Sequence, residues 1–179
     1  MQNENQFEAL YEEYKLLVYN LALHYVQHTS DAQDITQEVF VKIYRHYEKH
    51  DAATASLKTW IYRITINHCL DFLRTRKAKK RWGFITGLFH HESGEPLADA
   101  ARFDHPGIEA ESKEELHQLF ILINELPGNQ KTALILTRIE DRSQKEVAEI
   151  MNTSVKAVES LLQRARQTLQ KKLKEREGF

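Results

Sequence analysis

Residues 143–173 read SQKEVAEIMNTSVKAVESLLQRARQTLQKKL, and two helices joined by a tight turn account for the stretch. Ser143 and Glu146 form an S-x-x-E capping box that starts the first helix. Val147, Ala148 and Ile150 supply its apolar side. Asn152 falls in the break, and asparagine tolerates the left-handed backbone that such a turn requires. Ser154 caps the second helix. Its buried stripe is Val155, Val158, Leu162, Ala165 and Leu169, at steps of three and four. Small Ala148 lets the two helices cross closely. The pattern is a helix-turn-helix, whose second helix lies in a DNA major groove. Lys156, Ser160, Gln163, Arg164 and Gln167 point away from the stripe. A groove-reading face needs both cations and neutral hydrogen-bonding side chains. A plain helical hairpin packed in a bundle is the alternative.

The rest of the chain fits an all-α protein. Its 179 residues hold three prolines and six glycines, and no alternating strand pattern stands out. The net charge of −1 argues against a simple DNA-coating protein, but the charges are segregated. Residues 1–41 carry net −6, 42–81 net +8, 82–112 net −5 and 113–179 net +2. One acidic block, one basic block and a helix-turn-helix suggest two partner surfaces. Cys69 is the only cysteine, which excludes a disulfide framework and a thiolate zinc site; it reads as a small core residue. No signal peptide is visible, and no apolar run approaches the roughly 20 residues needed to span a bilayer. The expectation is a cytoplasmic protein without membrane insertion.

Upstream, residues 4–27 read as a helix with a broad apolar face. Ser30 and Gln33 form a second capping-box match, opening a helix over 31–48. Ile35, Val39, Phe40, Ile43 and Tyr47 are its core side. Asp31, Asp34, Gln37, Glu38 and Val41 form the other, an acidic face with an apolar residue at its centre. After a polar break comes a long helix, 57–80. Trp60, Arg63, Asn67, Asp71 and Arg74 share one strip of it, and its basic end could contact phosphates. Residues 82–111 hold four of the six glycines and two of the three prolines and read as an interdomain linker with an apolar start at 82–89. Ser112 and Glu115 form a third capping box. Leu116, Leu119, Phe120, Ile123 and Leu126 come next as an apolar stripe, and Pro127 starts the next helix, through Leu134, Leu136 and Ile139. His24 with His28, and His46 with His50, have zinc-compatible spacing but no obvious third ligand, so neither a metal nor a cofactor is expected. Phosphate-loop, nucleophile-elbow and metalloprotease motifs are lacking, so no enzyme is indicated.

Two blocks carry a family resemblance. DAQDITQEVFVKIY at 31–44, followed by WIYRITINHCLDFLRTR at 60–76, is close to W-[LI]-x-x-I-A-x-N-x-x-x-D-x-x-R. LPGNQKTALILTRIEDRSQKEVAEIMNTSVKAVESLLQRARQTLQKKL from Leu126 onward ends in R-A-R-x-x-L. The chain resembles a bacterial RNA polymerase sigma factor of the extracytoplasmic-function (ECF) group, over nearly its whole length. The resemblance implies a region-2-like bundle (1–81), a flexible linker (82–111) and a region-4-like four-helix domain (112–179). It implies core polymerase binding, to the beta-prime and beta subunits, through Asp31, Asp34, Gln37, Glu38, Phe40, Val41 and Tyr44. It implies minus-ten recognition and melting, with capture of the non-template strand, through Lys58, Thr59, Trp60, Arg63, Asn67, Arg74, Arg76 and Lys77. It implies duplex minus-thirty-five reading through Thr153, Ser154, Lys156, Ala157, Ser160, Gln163, Arg164 and Arg166, and an anti-sigma partner. The sequence departs from the family pattern at Leu57 (usually Phe), Thr65 (usually Ala) and Lys156-Ala157 (usually Gly-Thr). Two other functions fit less of the chain: a stand-alone helix-turn-helix regulator with an N-terminal dimerisation or sensing domain, and a helical protein-interaction module.

Overall fold

The computed structural model describes residues 2–51, 53–89 and 118–177, and among these all regular structure is helical. Three long helices come first: α1 (Gln2–Val26), α2 (Thr29–His46) and α3 (Leu57–Phe89). The second half holds α4, described over 118–124, then α5 (Gly128–Leu134), α6 (Gln144–Ile150) and α7 (Val155–Glu177).

The first half is a three-helix bundle. Val18, Leu21, Ala22 and Tyr25 of α1 are fully buried against Ile35, Val39 and Ile43 of α2 and Ile61 and Cys69 of α3. Each such aliphatic side chain contributes about 1.5–3 kcal/mol on burial. The α1–α2 turn differs from expectation. Gln27 takes φ 58, so the chain reverses early, and His28, two residues before the expected cap, caps α2 by accepting from the Asp31 amide at 3.4 Å. Ser30 is therefore inside the helix. Tyr47 leaves the core as α2 gives way to a 3₁₀ turn, Tyr47–Lys49. Thr65, in place of the usual alanine, is buried with its hydroxyl donating to the Ile61 carbonyl at 2.8 Å, so no polar group is stranded. The backbone of α3 stays helical to Phe89, past the expected end near residue 80. Gly83 and Gly87 each cost only about 1 kcal/mol in a helix, and no proline stops it.

In the second half the capping box at Ser143 and Glu146 forms with both of its hydrogen bonds. Asn152 has φ 49, and the Thr153 amide donates back to the Ala148 carbonyl at 2.9 Å, closing α6. Ser154 caps α7 by accepting from the Ala157 amide at 3.2 Å. Val158 and Ala165 are buried, while Val155, at the frayed first position of α7, is 40% exposed. In α4 and the turn after it, Phe120, Leu122, Ile123 and Leu126 face inward and Leu119 faces out. The Ser112–Glu115 box and Leu116 lie outside the described residues. After Leu134 the helix widens into a π turn, Ile135–Ile139, with the Glu140 amide donating to the Ile135 carbonyl at 3.0 Å. The extra residue re-aims the chain beyond it, and Glu140 turns towards the first half.

Ser143→Ala removes both the cap acceptor and the reason for Glu146 to fold back. We expect a loss of about 1 kcal/mol in urea unfolding. An unchanged midpoint would show that water replaces the cap without cost.

Candidate functional site

The residues of the acidic α2 face divide. Asp34, Gln37, Glu38, Val41 and Tyr44 all lie exposed on one strip, at helical steps of three and four. Val41 is 48% and Tyr44 59% exposed, so the strip is an apolar pair edged by carboxylates. Asp31 turns aside and accepts from Arg76 at 2.8 Å. Phe40 is buried, with ring contacts to Tyr11 and Phe7 at centroid distances of 4.7 and 6.4 Å. Asp31 is tied to α3 and so leaves the exposed strip, whereas Phe40 is buried as its place on the core side of the helix predicts, and it supports the strip from beneath. Glu38 reaches His68 of α3 at 2.8 Å. Burial, with the Lys42 ammonium second, holds the His68 imidazole below its ordinary value, against the opposing pull of Glu38.

The α3 strip is half engaged. Lys58, Asn67, Arg74 and Lys77 are exposed, and Arg74 pairs with Asp71 at 3.2 Å. Thr59 donates its amide to the Ser56 cap at 3.1 Å. The Trp60 ring lies against His50, 4.9 Å between centroids. Arg63 points into the second half, where Nε donates to the Ile150 carbonyl at 3.1 Å and Nη2 to the Glu149 carbonyl at 2.7 Å. Arg76 is taken by Asp31. Of the eight α3 residues expected to face nucleic acid, Arg63, Arg74 and Arg76 are therefore paired within the protein, and the Trp60 ring is packed on His50.

On α7 and the turn before it, Thr153, Ser154, Lys156, Gln163, Arg164 and Arg166 are exposed, and Ala157 and Ser160 are half-buried. The Ser160 hydroxyl donates to the Lys156 carbonyl at 2.9 Å. The helix is anchored at its far end, where Glu125 accepts from Lys172 at 2.6 Å and Arg176 at 3.0 Å. The Lys172 contact leads in holding the Glu125 carboxyl below the usual carboxylate range. These anchors leave the N-terminal turns of α7, which carry Lys156, Gln163 and Arg164, facing solvent.

The seam between the halves was not legible in the sequence. The Tyr25 hydroxyl donates to Thr132 Oγ1 at 2.8 Å. Buried Lys131 donates to the Tyr25 carbonyl at 3.0 Å and to Asn124. Gln27 donates to the Phe120 carbonyl at 3.3 Å. Glu140 receives His24 at 2.9 Å on one oxygen and the Tyr62 hydroxyl at 3.3 Å on the other. Burial first, then the Glu140 charge, pushes the Tyr62 phenol up to about 12. His24 and His28, spaced like metal ligands, thus go to an interdomain contact and a helix cap. The one available signal was Lys131 itself, a lysine directly beside Thr132, Ala133 and Leu134 on an inward-facing turn.

A three-helix bundle followed by a helix-turn-helix, with an exposed second helix, fits the Sigma-70 region 2 family at residues 10–79 and the Sigma-70, region 4 family at residues 117–169. This combination defines a sigma-70-type factor. The chain is similar to the ECF RNA polymerase sigma-E factor of Haemophilus influenzae, with 31% identity over 173 residues covering 96% of this chain and 89% of the relative. It is similar to the ECF RNA polymerase sigma factor SigW of Bacillus subtilis, with 26% identity covering 97% and 91%. The chain belongs to the ECF RNA polymerase sigma factors and is a transcription initiation factor. Two solved structures share the fold. One is CnrH in complex with the cytosolic domain of CnrY (TM-score 0.62, 22% identity, covering 96% and 90%). The other is the sigma factor RpoE with the anti-sigma factor NepR from Bartonella quintana (TM-score 0.63, 21% identity, covering 94% and 97%). No helix among the described residues is long and apolar enough to cross a membrane.

Proposed function

We propose that residues 1–81 bind core RNA polymerase and open the minus-ten element, that 112–179 read the minus-thirty-five element, and that 82–111 link them. Polymerase docks on the α2 strip of Asp34, Gln37, Glu38, Val41 and Tyr44. The observation that carries this is the exposed Val41–Tyr44 pair within an acidic rim. A surface helix that repels DNA phosphates yet displays apolar area suits a protein partner. The α3 strip of Trp60, Arg63, Asn67, Arg74 and Lys77 meets melted DNA, where bases leave the stack for protein pockets and the backbone follows cations. The exposed turns of α7 enter the major groove, with Lys156, Gln163 and Arg164 reaching base edges or phosphates. Lys156 and Ala157 differ from the common family pair, so the preferred element differs with them. RpoE of Bartonella quintana was captured with an anti-sigma factor, and a partner of that kind is part of this proposal.

The test is run-off transcription with core polymerase over a genomic promoter library, with Arg164→Ala beside the natural chain. A bidentate base contact predicts a loss of about 1–3 kcal/mol confined to promoters that share one base. A phosphate contact predicts a uniform loss. Absence of any promoter-dependent transcript from the natural chain would end the proposal.

A further inference from the structure

A cavity of about 360 Å³ opens where α3 meets the turn into α5, within the size range of small-molecule sites, about 300–1,000 Å³. Its walls are apolar at Leu70 and Leu73 of α3 and at Leu126 and Pro127 opposite. They are cationic at Arg74 and Lys77 of α3 and at Lys131 of α5, and they carry the amides of Asn124 and Asn129. No carboxylate lines the cavity among the described residues. The walls are held in place because the apolar core is continuous across the seam: Tyr25, Ile61 and Cys69 join Phe120, Ile123 and Leu136 in one buried cluster. Arg74 is engaged only by an exposed pair with Asp71 at 3.2 Å, a kind of pair too weak to keep it from a phosphate.

Lys131 is the group that asks for a ligand. It is 2% exposed, and it donates to the Tyr25 carbonyl and to the Asn124 side-chain oxygen, both uncharged. An ammonium has three donors, so one remains for the cavity. Lys77 and Cys69 of α3 and Tyr25 of α1 face it, and of these Lys77 repels it. A buried cation without a counter-charge is costly, and an anion in the cavity supplies that charge. The volume and the leucine walls exceed what a bare phosphate fills, and they suit a ligand with a flat body. We propose that this cavity is a binding site for a nucleotide, whose phosphates meet Arg74, Lys77 and Lys131 and whose base lies against Leu70, Leu73 and Leu126. The site stands apart from the assignment of the α3 strip to promoter DNA. Arg74 and Lys77 serve both, but Lys131, Asn124 and Asn129 have no part in that strip.

Titration calorimetry on the full-length chain at pH 8 tests this with ADP, inorganic pyrophosphate and adenosine, each in two buffers of different ionisation heat. Burial, then the charge of Lys77, pushes the Lys131 amine down to about 7, and a phosphate beside it raises it again. The free chain therefore takes up a proton as it binds, up to about one per ligand, and affinity falls as pH rises from about 7 to 9. The phosphates of ADP are already ionised at pH 8, so the uptake reports the amine. The expected result is ADP binding with proton uptake, about tenfold tighter than pyrophosphate, with adenosine weaker than either. Lys131→Met should lose the uptake and most of the affinity. Asn129→Asp brings a carboxylate to the cavity and should weaken ADP about tenfold or more. That variant should keep its circular dichroism and melting temperature, because a carboxylate suits the first turn of α5. Absence of ADP binding by the natural chain overturns the site. Binding without proton uptake, or binding that survives both substitutions, puts the ligand on exposed cations and overturns it equally. Pyrophosphate bound as tightly as ADP leaves an anion site and overturns the nucleotide.

Discussion

Asp34→Lys together with Glu38→Lys should cost the chain several kcal/mol of affinity for core polymerase and abolish its capture in a pull-down. Both side chains are exposed, on the strip that also carries Val41 and Tyr44. Charge reversal at a desolvated interface costs more than deletion, because a like charge then faces the partner's cations; truncating one member of a buried pair already costs about 2–5 kcal/mol. The bundle should survive. Neither residue contributes to the core, and the partner that Glu38 leaves behind, His68, is held below its ordinary value by burial and by Lys42, so a new lysine nearby meets mostly neutral imidazole. Far-ultraviolet circular dichroism should match the natural chain. Undiminished polymerase capture by a folded double variant would remove the α2 strip from the interface.

The second large effect is on pH. The Lys131 amine is pushed from 10.5 down to about 7, chiefly by burial and further by the charge of Lys77 on α3. Cys69, also on α3, pulls the other way, but its thiol is itself pushed up to about 12 by burial and carries little charge near neutrality. Tyr25 of α1 offers its ring, 4.9 Å from Nζ, and its carbonyl; Asn124 of α4 offers an amide oxygen. The sign comes from proton counts. Below pH 7 the amine is charged both folded and unfolded, and the full desolvation cost is present. Between about 7 and 10.5 the unfolded chain holds more protons, so stability rises with pH. Over that window the gain is on the order of 3–5 kcal/mol. Above about 9 it is opposed, because the Cys69 thiol is raised by burial and stays protonated only in the folded chain, and above about 10 the Tyr25 and Tyr62 phenols, also raised by burial, add to the opposition. We expect the melting temperature to climb from about pH 7 to about 9 and the climb to flatten in Lys131→Met. A flat profile in the natural chain, or the same slope in the methionine variant, would refute the role given to this amine.

Legibility in the sequence tracked the range of the interactions. The capping box at Ser143 and Glu146, the left-handed Asn152 and the Ser154 cap are decided within a few residues, and they appear as read. The acidic strip on α2 was legible for the same reason, since helical spacing alone places Asp34, Gln37, Glu38 and Val41 together. Where two local signals competed, the reading failed. Ser30 and Gln33 satisfy a capping pattern, but Gln27 turns the chain first and gives the cap to His28. Asp31 lies in the acidic motif, yet pairing with Arg76 turns it off the exposed strip, while Phe40, read as core, packs against Tyr11.

The sequence by itself determined the all-helical fold, the helix-turn-helix and the family, because periodicity, caps and motif spacing are properties of neighbours along the chain. Only the tertiary structure decided the state of Arg63, Arg76, Glu140 and Lys131. Their partners lie 87, 45, 116 and 106 residues away, at distances no local pattern encodes. A lysine reads as a solvated cation and an arginine as a free phosphate ligand until the fold brings a carbonyl, a carboxylate or a dry wall against them. Desolvation and long-range hydrogen bonding then decide which of the charged groups face a partner and which hold the two halves together.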